Sequence, residues 1–378
     1  VVGRLPEFQK TYAQGSGGVF STTSGTSWGP KISELPNDAT YGGNTDNEYT
    51  QKFGKQQGKY YVPQRAAAGL DPWATPQAYD NAKDFFDTGI TWSNSLNVAQ
   101  MLDKSSYSIS LGNTHQDGII SSTGMDRYNV KVSADTKLTN NWSSGFTANY
   151  ITTSIDKAVT SGNGLLRTVY AAPPSYDLAG IPSHVDGNPY TQNSFRGSFD
   201  NAYWAMENNK FTEDTNRFFG NVYASYQTDF GTTNHKLNAK YMVGVDAYTT
   251  HYVDSYGYGS NTGGGRGQIE NYGWTNATYN SLLTINYDWH INEDWGLNAV
   301  VGNEIIQSNR KKYYEYGTNY NFPGWNHINN ATTQQTEEET WKNRTVGFFG
   351  NVSASYRNML YLTLTGRQDY VSNMPRKN

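Results

Sequence analysis

The side chains able to do chemistry in this sequence are many, but they are not spaced for it. The six histidines, His115, His184, His235, His251, His290 and His327, form no His-Glu-x-x-His pattern and no close pair. With no cysteine in the chain, a zinc site would have to draw its ligands from distant segments, so neither a metal nor a cofactor is expected. The absence of cysteine also removes disulfides and thiolate nucleophiles. Gly263-Gly264-Gly265-Arg266-Gly267 is not followed by Gly-Lys-Ser/Thr, and a phosphate cradle needs backbone amides that open a helix after a strand. A flexible loop tip is expected there instead. Glu337-Glu338-Glu339 offers carboxylates, but adjacent residues of a strand point to opposite faces and cannot flank one glycosidic bond. A solvated loop edge is the reading. No Gly-x-Ser-x-Gly elbow between a strand and a helix is expected. The residues therefore point away from an enzyme.

What remains is binding chemistry. Asn201-Ala202-Tyr203-Trp204 and Phe322-Pro323-Gly324-Trp325-Asn326 place aromatic rings beside amides. Flat rings stack on sugar faces or apolar side chains, and amides bond hydroxyls or peptide groups. Tyr203, Trp204 and Trp325 are the candidates for contact with a substrate or a partner. The alternative is that these rings pack loops against one another.

The elements that would carry these residues are strands. Period-two alternation is widespread and helical periodicity nearly absent. Tyr107, Ile109 and Leu111 alternate with serines; Tyr128, Val130, Val132 and Ala134 with Asn129, Lys131, Ser133 and Asp135. Leu237 to Val245, Leu283 to Trp289 and Leu360 to Leu364 repeat the pattern. About ten strands are expected after Thr91, several longer than the ~5–6 residues usual in soluble proteins. Tight turns near 102–104, 139–141, 231–234, 292–294 and 357–358 alternate with long links, notably at about 156–214, 256–268 and 311–336. Short turns at one end and long loops at the other is the pattern of an up-and-down transmembrane barrel, with periplasmic turns and extracellular loops. Trp142, Phe230, Trp289, Trp295, Tyr356 and Tyr361 gather at the short-turn end, as an interfacial aromatic girdle would. Phe218 to Tyr226 (FFGNVYASY) and Phe348 to Tyr356 (FFGNVSASY) echo one another as two strands with the same outward pattern.

Composition agrees with that class. Only 16% of residues are charged, 15% are aromatic, and the net charge is -4, without the basic excess of a nucleic-acid binder. A mean hydropathy of -0.74 is compatible with a barrel, whose strands alternate polar and apolar residues. Residues 1–90 differ. They are rich in Gly, Ser, Asn and Pro and read as an early barrel segment with a long extracellular loop. It carries a short helix within Thr75 to Phe86, where Pro76 sits near the start.

Several stretches resemble the SusC/RagA-type TonB-dependent outer-membrane transporters. Leu5-Pro6-Glu7-Phe8-Gln9-Lys10-Thr11-Tyr12-Ala13-Gln14-Gly15, Ser27-Trp28-Gly29-Pro30-Lys31 and Phe85-Phe86-Asp87-Thr88-Gly89 come first. Tyr107 to Gly112, Gln116 to Ile120, Arg127-Tyr128-Asn129, Arg217 to Asn221 and Leu362 to Asp369 follow in the family's order. The resemblance implies a plugged barrel of about 22 strands in the outer membrane. It also implies import of oligosaccharides or peptides driven by the TonB complex, and a SusD-like surface lipoprotein as partner. Neither a plug domain nor the remaining C-terminal strands are recognisable in residues 1–378. Val1-Val2-Gly3-Arg4 resembles no start or signal peptide, and the chain reads as an internal fragment. Two alternatives stand beside this: a complete small porin or adhesin barrel of about ten to twelve strands, and a secreted carbohydrate-binding β-sandwich.

Overall fold

A computed structural model describes residues 5–159 and 164–373; Val1 to Arg4, weighed above, lie outside them. Ten strands carry the fold: β1 (Thr91–Met101), β2 (Ser105–Asp117), β3 (Gly124–Lys137), β4 (Trp142–Lys157), β5 (Lys210–Thr228), β6 (His235–Tyr256), β7 (Gln268–His290), β8 (Trp295–Tyr320), β9 (Ala331–Tyr356) and β10 (Leu360–Val371). They form one antiparallel sheet in chain order, each strand beside its sequence neighbours. Such a meander is what short turns at one end of the strands and period-two sequence produce together.

The register sorts the side chains into two faces. One face is a continuous apolar surface. Leu96 pairs with Leu111, Leu111 with Val130, Val130 with Tyr150 and Tyr150 with Phe218. Further along, Val222 faces Val243, Tyr241 faces Leu283, Ile285 faces Val301, and Val352 faces Leu364. These residues are uncovered by protein: Val301 is 54% exposed and Leu364 66%. An apolar sheet face of this extent in water would be an aggregation surface; in a bilayer it is solvated by lipid. No helix among the described residues is long and apolar enough to cross a membrane. The opposite face is polar and internally paired. Arg217 forks onto Asp246 at 2.8 and 2.6 Å, Tyr223 donates to Asp135 at 2.5 Å, and Arg367 meets Glu304 at 2.7 Å.

At the short-turn end, Trp142 packs on Tyr226 at 5.0 Å and Trp295 on Tyr356 at 4.7 Å. At the other end the strands lengthen across the sheet, from 11 residues in β1 to 26 in β8 and β9. A tilted strand crosses a bilayer with about 9–11 residues, so β6 to β9 project well beyond it. This corrects the expected loop at 311–336: β8 runs to Tyr320 and β9 starts at Ala331, leaving 321–330 as the connection. Glu337 to Glu339 accordingly lie within β9 and not at a loop edge. The segment hides from pattern reading because both of its faces are wet, so it has no apolar alternation to display.

Residues 5–90 contribute no strand to the ten-stranded sheet. Together with 164–209 they build a separate lobe on the long-loop rim. It contains short helices α1 (Glu48–Phe53), α2 (Pro63–Ala67), α3 (Asn81–Phe85), α4 (Leu165–Ala171) and α5 (Ala202–Asn208). Its core is Leu35, Tyr60, Phe85, Val169, Leu178, Phe195 and Trp204. The helix expected within Thr75 to Phe86 is α3. The lobe is attached at the entrance to β1, where the Asp87 amide donates to the Ile119 carbonyl at 2.9 Å.

Candidate binding rim and inner wall

Asn201 is fully buried and caps α5: its side-chain oxygen accepts from the amides of Tyr203 at 2.9 Å and Trp204 at 3.4 Å. That cap turns Trp204 inward. Its ring has no exposure, and its indole N–H donates to the Pro189 carbonyl at 2.8 Å. Trp204 therefore packs the lobe and presents nothing to solvent. Tyr203 is half-buried. Its ring meets Phe85 edge-on at 5.3 Å, its hydroxyl donates to the Asp84 carbonyl at 3.4 Å, and burial pushes the phenol up from its ordinary value. Trp325 lies elsewhere, at the β8–β9 tip. It is 44% exposed and stands in a stack, parallel to Phe322 at 5.8 Å and to His327 at 4.9 Å. The Asn330 amide holds this stack by donating to the carbonyls of Phe322 and Trp325, both at 2.8 Å.

The long connections are fused into one rim. Asp200 is the hub. It accepts from Gln192 at 2.7 Å, from the Ser260 hydroxyl at 2.6 Å, and from the backbone and side-chain amides of Asn261 at 2.7 and 2.9 Å. The glycine-rich connection 257–267 is thereby tied to the lobe. Gly267 needs its left-handed φ of +74°, and a Cβ there would strike the Tyr320 ring. Asn326 donates to the Asn208 carbonyl at 2.8 Å, bringing in the 321–330 tip. Beneath the rim, between α5 and the ends of β4, β5 and β6, lies a cavity of about 700 Å³ lined by Asp156, Lys157, Asp200, Glu207, Phe211 and Tyr256. That volume is in the range of small-molecule sites.

The polar face of the sheet continues upward into an aromatic wall that the sequence reading did not single out. Glu213, Tyr252, Tyr272, Tyr314 and Glu337 stand in one cross-strand row. Tyr252 and Tyr272 stack at 4.8 Å with 9° between planes, and Trp274 meets both edge-on. Arg310 covers Trp274 at 5.3 Å. The Lys157 ammonium lies 4.7 Å over the Tyr252 ring and 3.4 Å from Glu213. Glu337 and Glu339 share this face and straddle Lys312, at 3.4 and 3.9 Å, while Glu338 on the other face pairs with Lys311 at 2.9 Å. The signal in the sequence was tyrosine at even positions of β6 (Tyr248, Tyr252, Tyr256), which is period two on the lumen-facing parity.

No protein-family model matches the chain. A TonB-dependent receptor of Formosa agariphila, P3, is 23% identical over 319 residues, which is 80% of this chain and 30% of that protein. A second receptor of the same organism, P26, is 24% identical over 325 residues, 78% of this chain and again 30% of its own length. Among solved structures, the RagAB peptide transporter superposes with a TM-score of 0.60 at 15% identity, over 79% of this chain and 34% of that one. Its open-open state gives 0.63. The fold is a partial SusC/RagA-type barrel. The chain spans about 30% of the length of the curated relatives, which are named as TonB-dependent receptors, and the solved neighbour is named as a peptide transporter. In SusC/RagA-type terms, the bare apolar face is the lipid side, the Arg217–Asp246 face is the lumen side, and the fused rim is the extracellular side.

Proposed function

We propose that this chain forms barrel wall and extracellular rim of a TonB-dependent outer-membrane importer. Its cargo would be oligosaccharides or peptides, and a SusD-like surface lipoprotein would work with it at the rim. The observation that carries the reading is the single ten-stranded meander with an uncovered apolar face, short turns at one end, and every long connection gathered into a structured rim at the other. A porous wall needs only short loops; a rim with its own core offers a rigid surface for a ligand or a lid. In this reading cargo binds at the rim, the lipoprotein closes over it, and TonB acts through the barrel's plug to open the path. Trp325 and Tyr203 remain candidates for contact at the rim, while Trp204 packs the lobe core.

The β-sandwich alternative requires a second packed sheet, whereas the ten strands form one. The small-porin alternative is tested by energy dependence. Deleting tonB in the native host should abolish uptake of the cargo through this protein while leaving its surface abundance unchanged. Uptake that continues without TonB would remove the importer reading in favour of a passive barrel.

A further inference from the structure

The upper inner wall carries a charge pattern that says more about the cargo. In the row above the Tyr252–Tyr272–Tyr314 ladder, Asp254 on β6 stands directly opposite Glu270 on β7. Both are half-buried. The Tyr272 hydroxyl donates to Asp254 at 3.0 Å, and the Tyr314 phenol lies near Glu270. Among the described residues neither carboxylate has a lysine or arginine partner within ion-pair distance, although like charges directly opposite on a sheet repel. Lys157, in the same row two strands away, reaches to the next row and displays what this wall accommodates: an ammonium seated over a tyrosine ring and against a carboxylate, Tyr252 and Glu213. Aromatic faces and carboxylates attract cations additively when partly desolvated. Several ring faces of this wall are occupied: Tyr252 and Tyr272 stack on each other, Lys157 lies over Tyr252, and Arg310 lies over Trp274. Hydroxyl edges and the two carboxylates remain available to a point charge on an extended chain.

We propose that the lumen-facing wall formed by Tyr252, Tyr272, Tyr314, Asp254 and Glu270 docks a basic peptide, with a lysine or arginine side chain held between Asp254 and Glu270. This deepens the importer reading by naming the cargo class, and rests on it only for the route by which the peptide arrives.

The test uses the full-length protein purified in detergent and equilibrium binding of a short lysine-containing peptide, its Nε-acetyl-lysine counterpart, and an amine-bearing oligosaccharide. The lysine peptide should bind at least about tenfold more tightly than the acetylated one, with the difference shrinking as salt rises. The Asp254→Asn, Glu270→Gln double variant should erase that difference while binding the acetylated peptide as before. The Lys157→Met variant, which frees the Glu213–Tyr252 position, should bind the lysine peptide several-fold more tightly, a gain that misfolding cannot mimic. Equal binding of the two peptides, a preference that survives the double variant, or an amine-bearing oligosaccharide binding as well as the lysine peptide would each overturn the proposal. Binding is read without TonB, so its failure leaves the importer reading standing. TonB-independent uptake with an intact cation preference would remove the importer reading alone.

Discussion

Two tryptophans that look alike in the sequence have opposite settings. Trp204 is sealed in the lobe core and Trp325 stands in an exposed stack. Trp204→Ala should cost the lobe about 3–5 kcal/mol, the usual range for emptying a buried aromatic site, seen as early proteolysis within 5–90 and 164–209. Trp325→Ala should leave that proteolysis pattern unchanged. A second pair separates satisfied from unsatisfied hydroxyls. Tyr60 donates to the Ser175 carbonyl at 2.8 Å, whereas the buried Tyr176 hydroxyl has no hydrogen-bond partner among the described residues. Tyr60→Phe should therefore destabilise the lobe by about 1–2 kcal/mol, and Tyr176→Phe should be neutral or stabilising. Thermal unfolding of the two variants decides it. Burial raises both phenols above their ordinary value. A phenol with a raised folded value contributes stability that is present below the unfolded value of about 10 and is lost as pH rises beyond it. The lobe should thus weaken above about pH 10, with phenolate absorbance from these two tyrosines appearing only as it opens.

At the scale of elements, the tight turns set the register of the hairpins. Arg357 and Asn358, between β9 and β10, both have positive φ, 51° and 55°, the geometry of a primed hairpin turn whose twist matches the strands. Arg357 also pairs with Asp294 of the neighbouring turn at 2.9 Å, so this strain is offset locally. Asn tolerates the left-handed region and a β-branched residue does not. Asn358→Val should destabilise the hairpin by about 1–3 kcal/mol, lowering the temperature at which the full-length barrel loses its compact form on an unboiled gel; Asn358→Gly should not. The turns and the membrane-crossing halves of the strands were legible in the sequence because each leaves a local mark: turn residues, and alternation imposed by one lipid face. The outer halves of β8 and β9 were not, because a strand with water on both faces is under no such demand.

For the whole molecule, the rim behaves as one body because polar hubs tie segments that are distant in sequence. Asp200 links the lobe to 257–267, and Asn326 links the 321–330 tip to α5. Asp200→Ala leaves Ser260 and the Asn261 amide without their acceptor, and should release the connection. Protease cleavage at Gly263 to Gly265 is expected to rise several-fold while the barrel strands stay protected. An unchanged cleavage rate would mean the connection is held by its own turns alone.

Residues 5–90 mark where sequence reading stops. Their Gly, Pro and Asn content excluded long strands, and the family wording placed them early in a barrel, yet their core is completed by Phe195 and Trp204 from more than a hundred residues away. Period two and turn chemistry belong to neighbouring residues, and so the sequence by itself determined the strand class and which end of the sheet carries the short turns. The facing of Asp254 by Glu270, the seating of Lys157 on Tyr252 and the burial of Trp204 depend on which strands and loops meet. Those were decided by the tertiary structure, because such contacts are set by register and by long-range packing, neither of which leaves a periodic trace along the chain.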